Sequence, residues 1–335
     1  MRKNILIIAT GGTIASMEDG RGLAPALTGA ELVGYVPEIN DVCDFEIVQP
    51  MNIDSTNMRP RDWLRIAGVI RDAYDRYDGF VVLHGTDTMA YTAAALSYLI
   101  QDSEKPIVLT GSQQPMSAPF TDAKLNLYHS ALYACEASSR DVSVVFGGEA
   151  ICGTRARKQR TMSFNAFTSM NFPPLAYVRG ERVVRAAGVS PGEKDGRKPS
   201  FYNALDDRVI VLKLTPELRP SIFELLAPDY DAVILETFGI GGIPAYDGAY
   251  QRAIYDWVGS GRTLVVTTQV PEEGLDLGVY EVGRAYANRD GILRGDDMTT
   301  EALVAKTMWA LGQTRDPAEV ARLFYQPVNH DRTPR

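Results

Sequence analysis

The sequence predicts an α/β fold of two domains, and three observations carry that prediction. The chain has 335 residues, about twice the roughly 150 of a typical domain, and 45% of them are apolar, enough for two cores. Short runs rich in β-branched residues alternate with stretches of helical length and spacing. The short runs are apolar throughout, which indicates strands buried on both faces, as in a parallel sheet covered by helices.

The first half of the chain contains four of these strand-like runs. Ala90–Ile100, rich in Ala and Leu, and Arg61–Tyr77, with apolar residues at helical spacing, are predicted helices. We therefore predict a larger N-terminal domain over residues 1–188, with a mainly parallel sheet flanked by helices. Its predicted strands are Ile5–Ala9, Phe80–Leu83, Ile107–Leu109 and Val142–Phe146.

A polar, turn-forming segment separates the two halves. Residues 188–199 are polar and rich in Gly, Pro and Lys, so we predict a linker over residues 189–206. The alternation of strand and helix then resumes, which predicts a smaller parallel-sheet α/β domain over residues 207–335. Its predicted strands are Val209–Leu214, Ala232–Glu236 and Thr263–Thr267.

Composition and charge narrow the functional classes. A net charge of −8 disfavours nucleic acid and anionic lipid as partners, and no apolar run approaches the roughly 20 residues of a membrane span. The apolar run after Met1-Arg2-Lys3 stops at Thr10-Gly11-Gly12, so it predicts a buried strand rather than a signal peptide. The three cysteines are scattered and show no metal-binding spacing. We expect a cytoplasmic protein with no disulfide framework, metal or cofactor.

Polar residues follow several predicted strands, where ligands bind in open parallel sheets. The first of these segments is Thr10-Gly11-Gly12-Thr13-Ile14-Ala15, in which two glycines permit a tight turn that exposes hydroxyl groups. His84-Gly85-Thr86-Asp87-Thr88-Met89 follows the second strand, and Gly111-Ser112-Gln113 follows the third. Asp54-Ser55-Thr56 is a further polar segment. These residues predict a ligand pocket rich in hydroxyl groups.

A hydroxyl nucleophile needs a base, and the sequence offers few. Of the three histidines, His129 lies in a helical stretch, His330 lies in the polar tail, and His84 closes a strand, where a structural hydrogen bond is expected. Lys158 could serve as the base if Asp87 orients it and burial removes it from water. The alternative stays open that Lys158 belongs to a solvated basic surface, because Arg155, Arg157 and Arg160 surround it.

The segments Thr10-Gly11-Gly12-Thr13-Ile14-Ala15 and His84-Gly85-Thr86-Asp87-Thr88-Met89 resemble the two signature motifs of the bacterial-type L-asparaginases. The resemblance extends over the whole chain, including Gly239–Pro244 and Gly295–Thr299, and is greatest to the cytoplasmic, type I branch. It implies a two-domain α/β fold and hydrolysis of L-asparagine to L-aspartate and ammonia, with glutamine as a poorer substrate. It also implies a homodimer or homotetramer with active sites near subunit interfaces.

The resemblance assigns roles to individual residues. Thr13 becomes the nucleophile that forms a β-aspartyl ester, and Thr86, Asp87 and Lys158 become the second hydroxyl, acid and amine of the catalytic group, although attack by water itself stays an alternative. The substrate-binding residues that it implies are Asp54, Ser55, Thr56, Thr86, Asp87 and Ser112. Backbone N–H groups of the turn Gly11-Gly12-Thr13 are expected to stabilise the oxyanion.

One position departs from the family pattern, and two other functions stay open. Leu23 stands on the predicted lid loop where many members carry a tyrosine that touches the catalytic threonine, so activity could be lower. The sequence also resembles the asparaginase-like D subunit of archaeal glutamyl-tRNA amidotransferase. The net charge and a first strand at Asn4, where that protein has an extra domain, disfavour it. A non-catalytic amino-acid sensor is the third alternative.

Overall fold

The computed structural model describes residues 2–18, 23–25, 27–189, 196, 198–279, 281–287, 289 and 291–333. The chain forms two compact units, Met1–Asn203 and Ala204–Arg335. Most of the predicted linker's first half, residues 190–195 and 197, lies outside the described residues. Farther along the linker, Ser200–Phe201 forms a short strand that belongs to the N-terminal unit.

Fourteen strands are described in the N-terminal unit. They are β1 Asn4–Ala9, β2 Ser16–Glu18, β3 Leu23–Pro25, β4 Asp44–Val48, β5 Gly79–Leu83, β6 Ile100–Gln101, β7 Ile107–Thr110, β8 Val142–Phe146, β9 Glu149–Cys152, β10 Ala156–Lys158, β11 Phe167–Ser169, β12 Ala176–Arg179, β13 Arg182–Arg185 and β14 Ser200–Phe201. Eight of them form one sheet in the order β13-β12-β9-β8-β7-β5-β1-β4, and β2–β3, β10–β11 and β6–β14 are separate two-stranded pairs.

The large sheet has a parallel part and an antiparallel part. β4, β1, β5, β7 and β8 run in one direction, whereas β9, β12 and β13 extend the sheet in antiparallel pairs. The register pairs Ala9 with Leu83 and Leu83 with Thr110, so β1, β5 and β7 end at the same edge. The three polar segments that follow these strands therefore lie side by side.

In the described part of this unit there are five α-helices: α1 Gly29–Gly34, α2 Ile39–Val42, α3 Pro60–Ala73, α4 Met89–Leu99 and α5 Ala123–Cys135. Helix α3 begins with Pro60 at a position that needs no N–H donor, and its buried residues recur at helical spacing. Ile5 and Ile7 of β1 pack in an apolar cluster with residues of α1 and α5, while Leu6 and Ile8, which point to the opposite face, are equally buried. The sheet is thus covered on both faces, as its continuous apolar strands predict.

The C-terminal unit contains a four-stranded parallel sheet, in the order β15-β16-β17-β18. These strands are β15 Val209–Lys213, β16 Ala232–Thr237, β17 Thr263–Thr268 and β18 Ile292–Arg294, and the helices are α6 Ile222–Leu226, α7 Ala249–Gly259, α8 Glu281–Ala287, α9 Thr300–Gln313 and α10 Pro317–Tyr325. Both units therefore have the α/β architecture that the sequence predicts. Within the described part of the chain, every helix is too short or too polar to cross a membrane.

Candidate active site

The turn after β1 is built around two glycines with positive φ angles, 107° at Gly11 and 85° at Gly12. A Cβ atom on Gly12 would lie 2.3 Å from the backbone N of Gly85, a distance that no side chain tolerates. The turn after β1 therefore packs directly against the turn after β5. This contact places Thr13 and Thr86, each one residue beyond its glycine, in adjacent turns.

A third segment joins the same edge through backbone hydrogen bonds. The Ile53 N–H donates to the Thr10 carbonyl (2.9 Å), and the Gly12 N–H donates to the Ile53 carbonyl (3.0 Å). The Gly12 N–H is thus already hydrogen-bonded to Ile53. Of the three backbone N–H groups expected to stabilise an oxyanion, those of Gly11, Gly12 and Thr13, the Gly12 donor is therefore removed. Thr13 itself begins a short 3-10 helix, Thr13–Ala15, and is half-buried.

Lys158, Thr86 and Asp87 form one hydrogen-bonded group. The Lys158 Nζ lies 2.8 Å from Thr86 Oγ1 and 2.6 Å from Asp87 Oδ1, although 72 and 71 residues separate it from them in sequence. The Lys158 side chain is 18% exposed, whereas that of Asp87 is 56% exposed. The lysine is therefore held by its partners rather than standing on a solvated basic surface, the alternative that the sequence left open.

Lys158 reaches Thr86 because it lies on the short hairpin of β10 and β11. It pairs with Phe167 in that hairpin, and the Gln159 N–H donates to the Ala166 carbonyl (2.7 Å) just beyond it. Phe167 is buried and packs against Phe146 of β8, with ring centroids 5.0 Å apart. The aromatic contact anchors the hairpin to the central sheet, and the lysine is positioned with it.

The structure adds Asp122 and Asn126, which the sequence analysis did not single out, and it gives a partner to Gln113, which the sequence predicts only as part of the polar segment after β7. The Thr86 hydroxyl donates to Gln113 Oε1 (3.2 Å), and Asp122 accepts the backbone N–H groups of Gln113 (2.9 Å) and Gln114 (3.0 Å). Asn126 in turn donates to the carbonyl of Gly111 (3.0 Å). The only sequence signal for Gln113 is its place directly after Ser112, at the end of β7.

The three residues expected to hold the substrate's charged groups lie on a 3-10 turn, Ser55–Asn57, capped by Asp54. Asp54 Oδ1 accepts the Thr56 N–H (2.8 Å) and its hydroxyl (2.9 Å), and both side chains are exposed. Ser55 is buried beside Gly85, where an added Cβ would lie 2.5 Å from the serine Oγ. The described hydrogen bonds of Asp54 and Thr56 stay within their own turn, while Ser55 contacts the turn after β5.

Ser112 and His84 are buried at the same edge. The Ser112 hydroxyl donates to the Gln114 carbonyl, so this side chain stabilises its own loop. His84 Nδ1 lies 2.7 Å from the Gly85 carbonyl and Nε2 lies 2.9 Å from the Thr92 hydroxyl. Burial lowers the pKa of His84 to about 4, so the ring is neutral at pH 7. Both ring nitrogens are engaged, and His84 therefore serves the structure of the strand end rather than proton transfer.

The arrangement defines a class of protein. Hydroxyl groups, one ammonium and one carboxylate meet outside the carboxyl ends of a parallel sheet, as in an enzyme that cleaves an amide or ester by attack of an activated hydroxyl group. The sequence matches the family described as Asparaginase, N-terminal, over residues 4–188, and the one described as Glutaminase/Asparaginase C-terminal domain over residues 208–324. The chain belongs to the asparaginase family of amide hydrolases.

Three curated relatives illustrate the range of the family. The chain is 39% identical to L-asparaginase of Thermococcus kodakarensis over 329 residues, 97% of each protein. It is 31% identical to L-asparaginase 1 of Escherichia coli strain K12 in an alignment of 339 positions, gaps included, that covers 99% of each protein. It is also 36% identical to the D subunit of the glutamyl-tRNA(Gln) amidotransferase of Metallosphaera sedula in an alignment of 348 positions, which covers 99% of this chain and 77% of that relative.

Solved structures show the same fold. The thermostable L-asparaginase of Thermococcus kodakarensis superposes with a TM-score of 0.92 at 36% identity, covering 99% of this chain and all of that one. A probable cytoplasmic L-asparaginase of Campylobacter jejuni superposes with a TM-score of 0.81 at 25% identity, covering 96% of this chain and 99% of that one. The two-domain α/β fold predicted from the sequence is therefore confirmed.

Proposed function

We propose that this protein hydrolyses the side-chain amide of L-asparagine to give L-aspartate and ammonia. The observation that carries the proposal is the Lys158 amine, held 2.8 Å from the Thr86 hydroxyl and 2.6 Å from the Asp87 carboxylate beside the Gly12-Thr13 turn. A lysine in hydrogen-bond contact with a hydroxyl group can move a proton to or from it. The family to which the chain belongs supports the same reaction.

The nucleophile in this proposal is Thr13. Its Oγ1 bonds to the amide carbon of the substrate, the C–N bond breaks, and ammonia leaves with the proton that the hydroxyl group gave up. Water then cleaves the β-aspartyl ester and restores Thr13. Thr86 and Lys158 carry protons for both steps, and Asp87 keeps the lysine in place. Water delivered by Thr86 could instead attack the amide directly, with the same residues and products.

The substrate is a zwitterion, so its site needs a carboxylate for the amino group and neutral donors for the carboxylate. Asp87 uses Oδ1 for Lys158, and its half-exposed side chain leaves Oδ2 for the substrate's ammonium group. Ser55 and Thr56 are the proposed donors to the substrate's carboxylate, with Asp54 completing this part of the site. The backbone at Ser112 is proposed to face the side-chain amide. One methylene separates glutamine from asparagine, a difference of about 1–3 kcal/mol, so we expect weak glutaminase activity.

We also propose a cytoplasmic homodimer or homotetramer with active sites near subunit interfaces. Two exposed apolar side chains support an interface there: Phe120 is 89% exposed and Met162 is 84% exposed. They lie on two loops tied to Gln113, through Asp122 in one and the Ser163 carbonyl (3.4 Å) in the other. The cytoplasmic location rests on likeness to the Campylobacter jejuni protein. Light scattering of the wild type and of Phe120→Ser/Met162→Ser tests the assembly: loss of the oligomer supports this interface, and a persistent oligomer argues against it.

The domain limits that we propose are residues 1–188 and 207–335, with the linker at 189–206.

Leu23 belongs to β3, and neighbouring residues 19–22 of the predicted lid lie outside the described residues. We propose that Leu23→Tyr raises the turnover of L-asparagine, because the family resemblance implies a tyrosine at this position that touches the catalytic threonine. Unchanged turnover in this variant would show that the tyrosine's role is met by another group or is absent.

A steady-state ammonia assay with L-asparagine, L-glutamine and D-asparagine tests the function. We expect L-asparagine to be hydrolysed fastest, and Thr13→Ala to abolish release while the circular dichroism spectrum is unchanged. Binding of L-asparagine without turnover would favour an amino-acid sensor. Turnover only in the presence of a partner protein and glutamyl-tRNA would favour the amidotransferase alternative. The similarity to the Metallosphaera sedula protein supports that alternative.

A further inference from the structure

A cavity of about 440 Å³ lies at the amino ends of the strands of the C-terminal sheet. Three of its lining residues directly precede β15, β16 and β18, and these are Arg208, Asp231 and Gly291. All of its described lining residues belong to the unit Ala204–Arg335. None of them is a residue of the candidate active site, so the cavity is a separate feature of the molecule.

The lining of this cavity is positively charged. It contains three arginines, Arg208, Arg262 and Arg315, while Asp231 is the only acidic residue in the described lining. Asp231 pairs with two of the three, at 3.3 Å from Arg208 Nη2 and 2.8 Å from Arg315 Nη1. Arg315 also pairs with Asp206, which lies outside the lining. These ion pairs therefore meet the charge of two arginines and leave that of the third.

The third arginine, Arg262, is held by neutral oxygen atoms. Its Nε donates to the Tyr230 carbonyl (3.3 Å) and its Nη2 to the Ala227 carbonyl (2.8 Å). Its Nη1 donates to the Ser260 hydroxyl (2.6 Å), and its Cζ lies 5.3 Å from the centre of the Trp257 ring. These contacts fix the guanidinium group in place without neutralising it. Because the group has five N–H donors, two remain beyond the three contacts described, one on each Nη atom.

Much of the remaining wall is apolar. Leu293, Leu311 and Val320 are buried, and Val258 lies beside them in the lining. Small-molecule sites of this volume combine such a wall with a few polar or charged groups that orient the ligand. A carboxylate has two oxygens to accept the two N–H donors of a guanidinium group. The lining therefore fits a molecule with a carboxylate at one end and an apolar body at the other.

We propose that this cavity binds a small organic carboxylate with an apolar body, and that Arg262 binds the carboxylate. The apolar body lies against Val258, Leu293 and Leu311. Its removal from water contributes affinity, while the guanidinium group selects anions over neutral and cationic molecules of the same shape. This binding site goes beyond the proposed function, because it involves neither an amide bond nor a residue of the candidate active site.

Isothermal titration calorimetry of the full-length protein at pH 7 tests both parts of the ligand with four probes: hexanoate, hexanamide, hexylammonium and acetate. We expect hexanoate to bind. Hexanamide has the same shape without the charge and should bind roughly tenfold more weakly or worse, because its hydrogen bond to Arg262 is not charge-assisted. Hexylammonium and acetate should show no binding. Absence of hexanoate binding at millimolar concentrations, or equal binding of hexanoate and hexanamide, would overturn the proposal.

Variants of two arginines test the role of Arg262. Arg262→Gln should raise the Kd for hexanoate roughly tenfold or more, and Arg262→Lys, which keeps the charge, should raise it less. The matched control is Arg252→Gln, which removes the same charge from an exposed arginine of α7 outside the described lining. This control should bind hexanoate like the wild type. Equal affinity in Arg262→Gln and Arg252→Gln would contradict the assignment.

Methyl NMR spectra of the wild type locate the bound hexanoate without any variant, so a variant that fails to fold leaves the test intact. We expect hexanoate to shift the methyl signals of Val258, Leu293 and Leu311. The signal of Ile14, which follows Thr13, should not move. Shifts that miss the three cavity residues would overturn the proposal. None of these readouts depends on amide hydrolysis, and the proposed function and this proposal therefore fail separately.

Discussion

Each unit of the molecule contains a lysine paired with an aspartate, at nearly the same distance but in opposite surroundings. Lys158 lies 2.6 Å from Asp87 in the N-terminal unit, with 18% and 56% of the side chains exposed. Lys306 lies 2.5 Å from Asp331 in the C-terminal unit, and both side chains are fully buried. The first pair touches a hydroxyl group at a strand end and faces solvent, as the proposed function requires. The second is enclosed.

The enclosed pair holds the end of the chain against α9. Lys306 Nζ also donates to the Gln326 carbonyl (2.6 Å) and lies 5.9 Å from the centre of the Phe324 ring, while Asp331 Oδ1 accepts the Val328 N–H (3.2 Å). A buried ion pair adds little net stability over an apolar pair of the same shape, but removing one partner strands a charge in the interior. The same type of ion pair therefore predicts different consequences when it is broken. Removing Lys158 should lower turnover, whereas breaking the Lys306 pair should lower the stability of the fold.

The largest effect we expect is on turnover at the exposed pair. Lys158→Met removes the amine that contacts Thr86 and should lower kcat for L-asparagine about 10²- to 10⁴-fold, the usual contribution of a proton-transferring group. Lys158→Arg keeps the positive charge but cannot give up its proton, so it should be nearly as slow. The ammonia assay measures both. Turnover within tenfold of the wild type in Lys158→Met would return this residue to a structural role.

The next effect is on the stability of the enclosed pair. Asp331→Ala leaves the Lys306 ammonium without its carboxylate and should lower the free energy of unfolding by about 3–5 kcal/mol. The double variant Lys306→Met/Asp331→Leu removes both charges and should recover most of that loss. Urea denaturation compares the three proteins. If the single and double variants are equally unstable, the loss comes from packing rather than from the stranded charge.

The difference between the two pairs also shows where sequence reasoning succeeds. The seven predicted strands, each a continuous apolar run, match the observed strands to within one residue at either end. The antiparallel extension was not foreseen, because its strands are short and carry charges. Strand β13, Arg182–Arg185, alternates half-buried and exposed residues, and its place is set by pairing with β12 rather than by its own sequence.

The motifs in the sequence predict part of the geometry of the candidate site and leave the rest unpredicted. The two glycine-containing turns and Lys158 were identified, and their residues lie close together in the fold. Asp122 is not predicted, and Gln113 is predicted only as a member of a polar segment, since a hydrogen bond between loops leaves no periodic signal in the sequence. The sequence around Lys306, which lies within an apolar helix, likewise gives no signal for its ion pair with Asp331.

A smaller effect should appear in the pH dependence of stability. Burial lowers the pKa of Lys306 to about 8 from its ordinary 10.5. Between these values the unfolded chain still binds the proton while the folded chain releases it, so the free energy of unfolding should rise as pH increases from 8 to 10.5. Below pH 8 both states carry the proton and the contribution is flat. Denaturation of the wild type against Lys306→Met/Asp331→Leu isolates this contribution, and a constant difference across the window would contradict it.

The smallest effect we expect is the contribution of the exposed pair to stability. Half-exposed ion pairs contribute between zero and about 1 kcal/mol, because water solvates the carboxylate in either state and the lysine gives up conformational freedom to pair. Asp87→Asn should therefore change the free energy of unfolding by less than about 1 kcal/mol, while turnover falls because the lysine loses its orienting charge. Urea denaturation and the ammonia assay on the same preparation separate the two effects. A stability loss as large as that of Asp331→Ala would mean that both pairs hold the fold, and the Lys158 pair would then no longer be distinguished by its exposure to solvent.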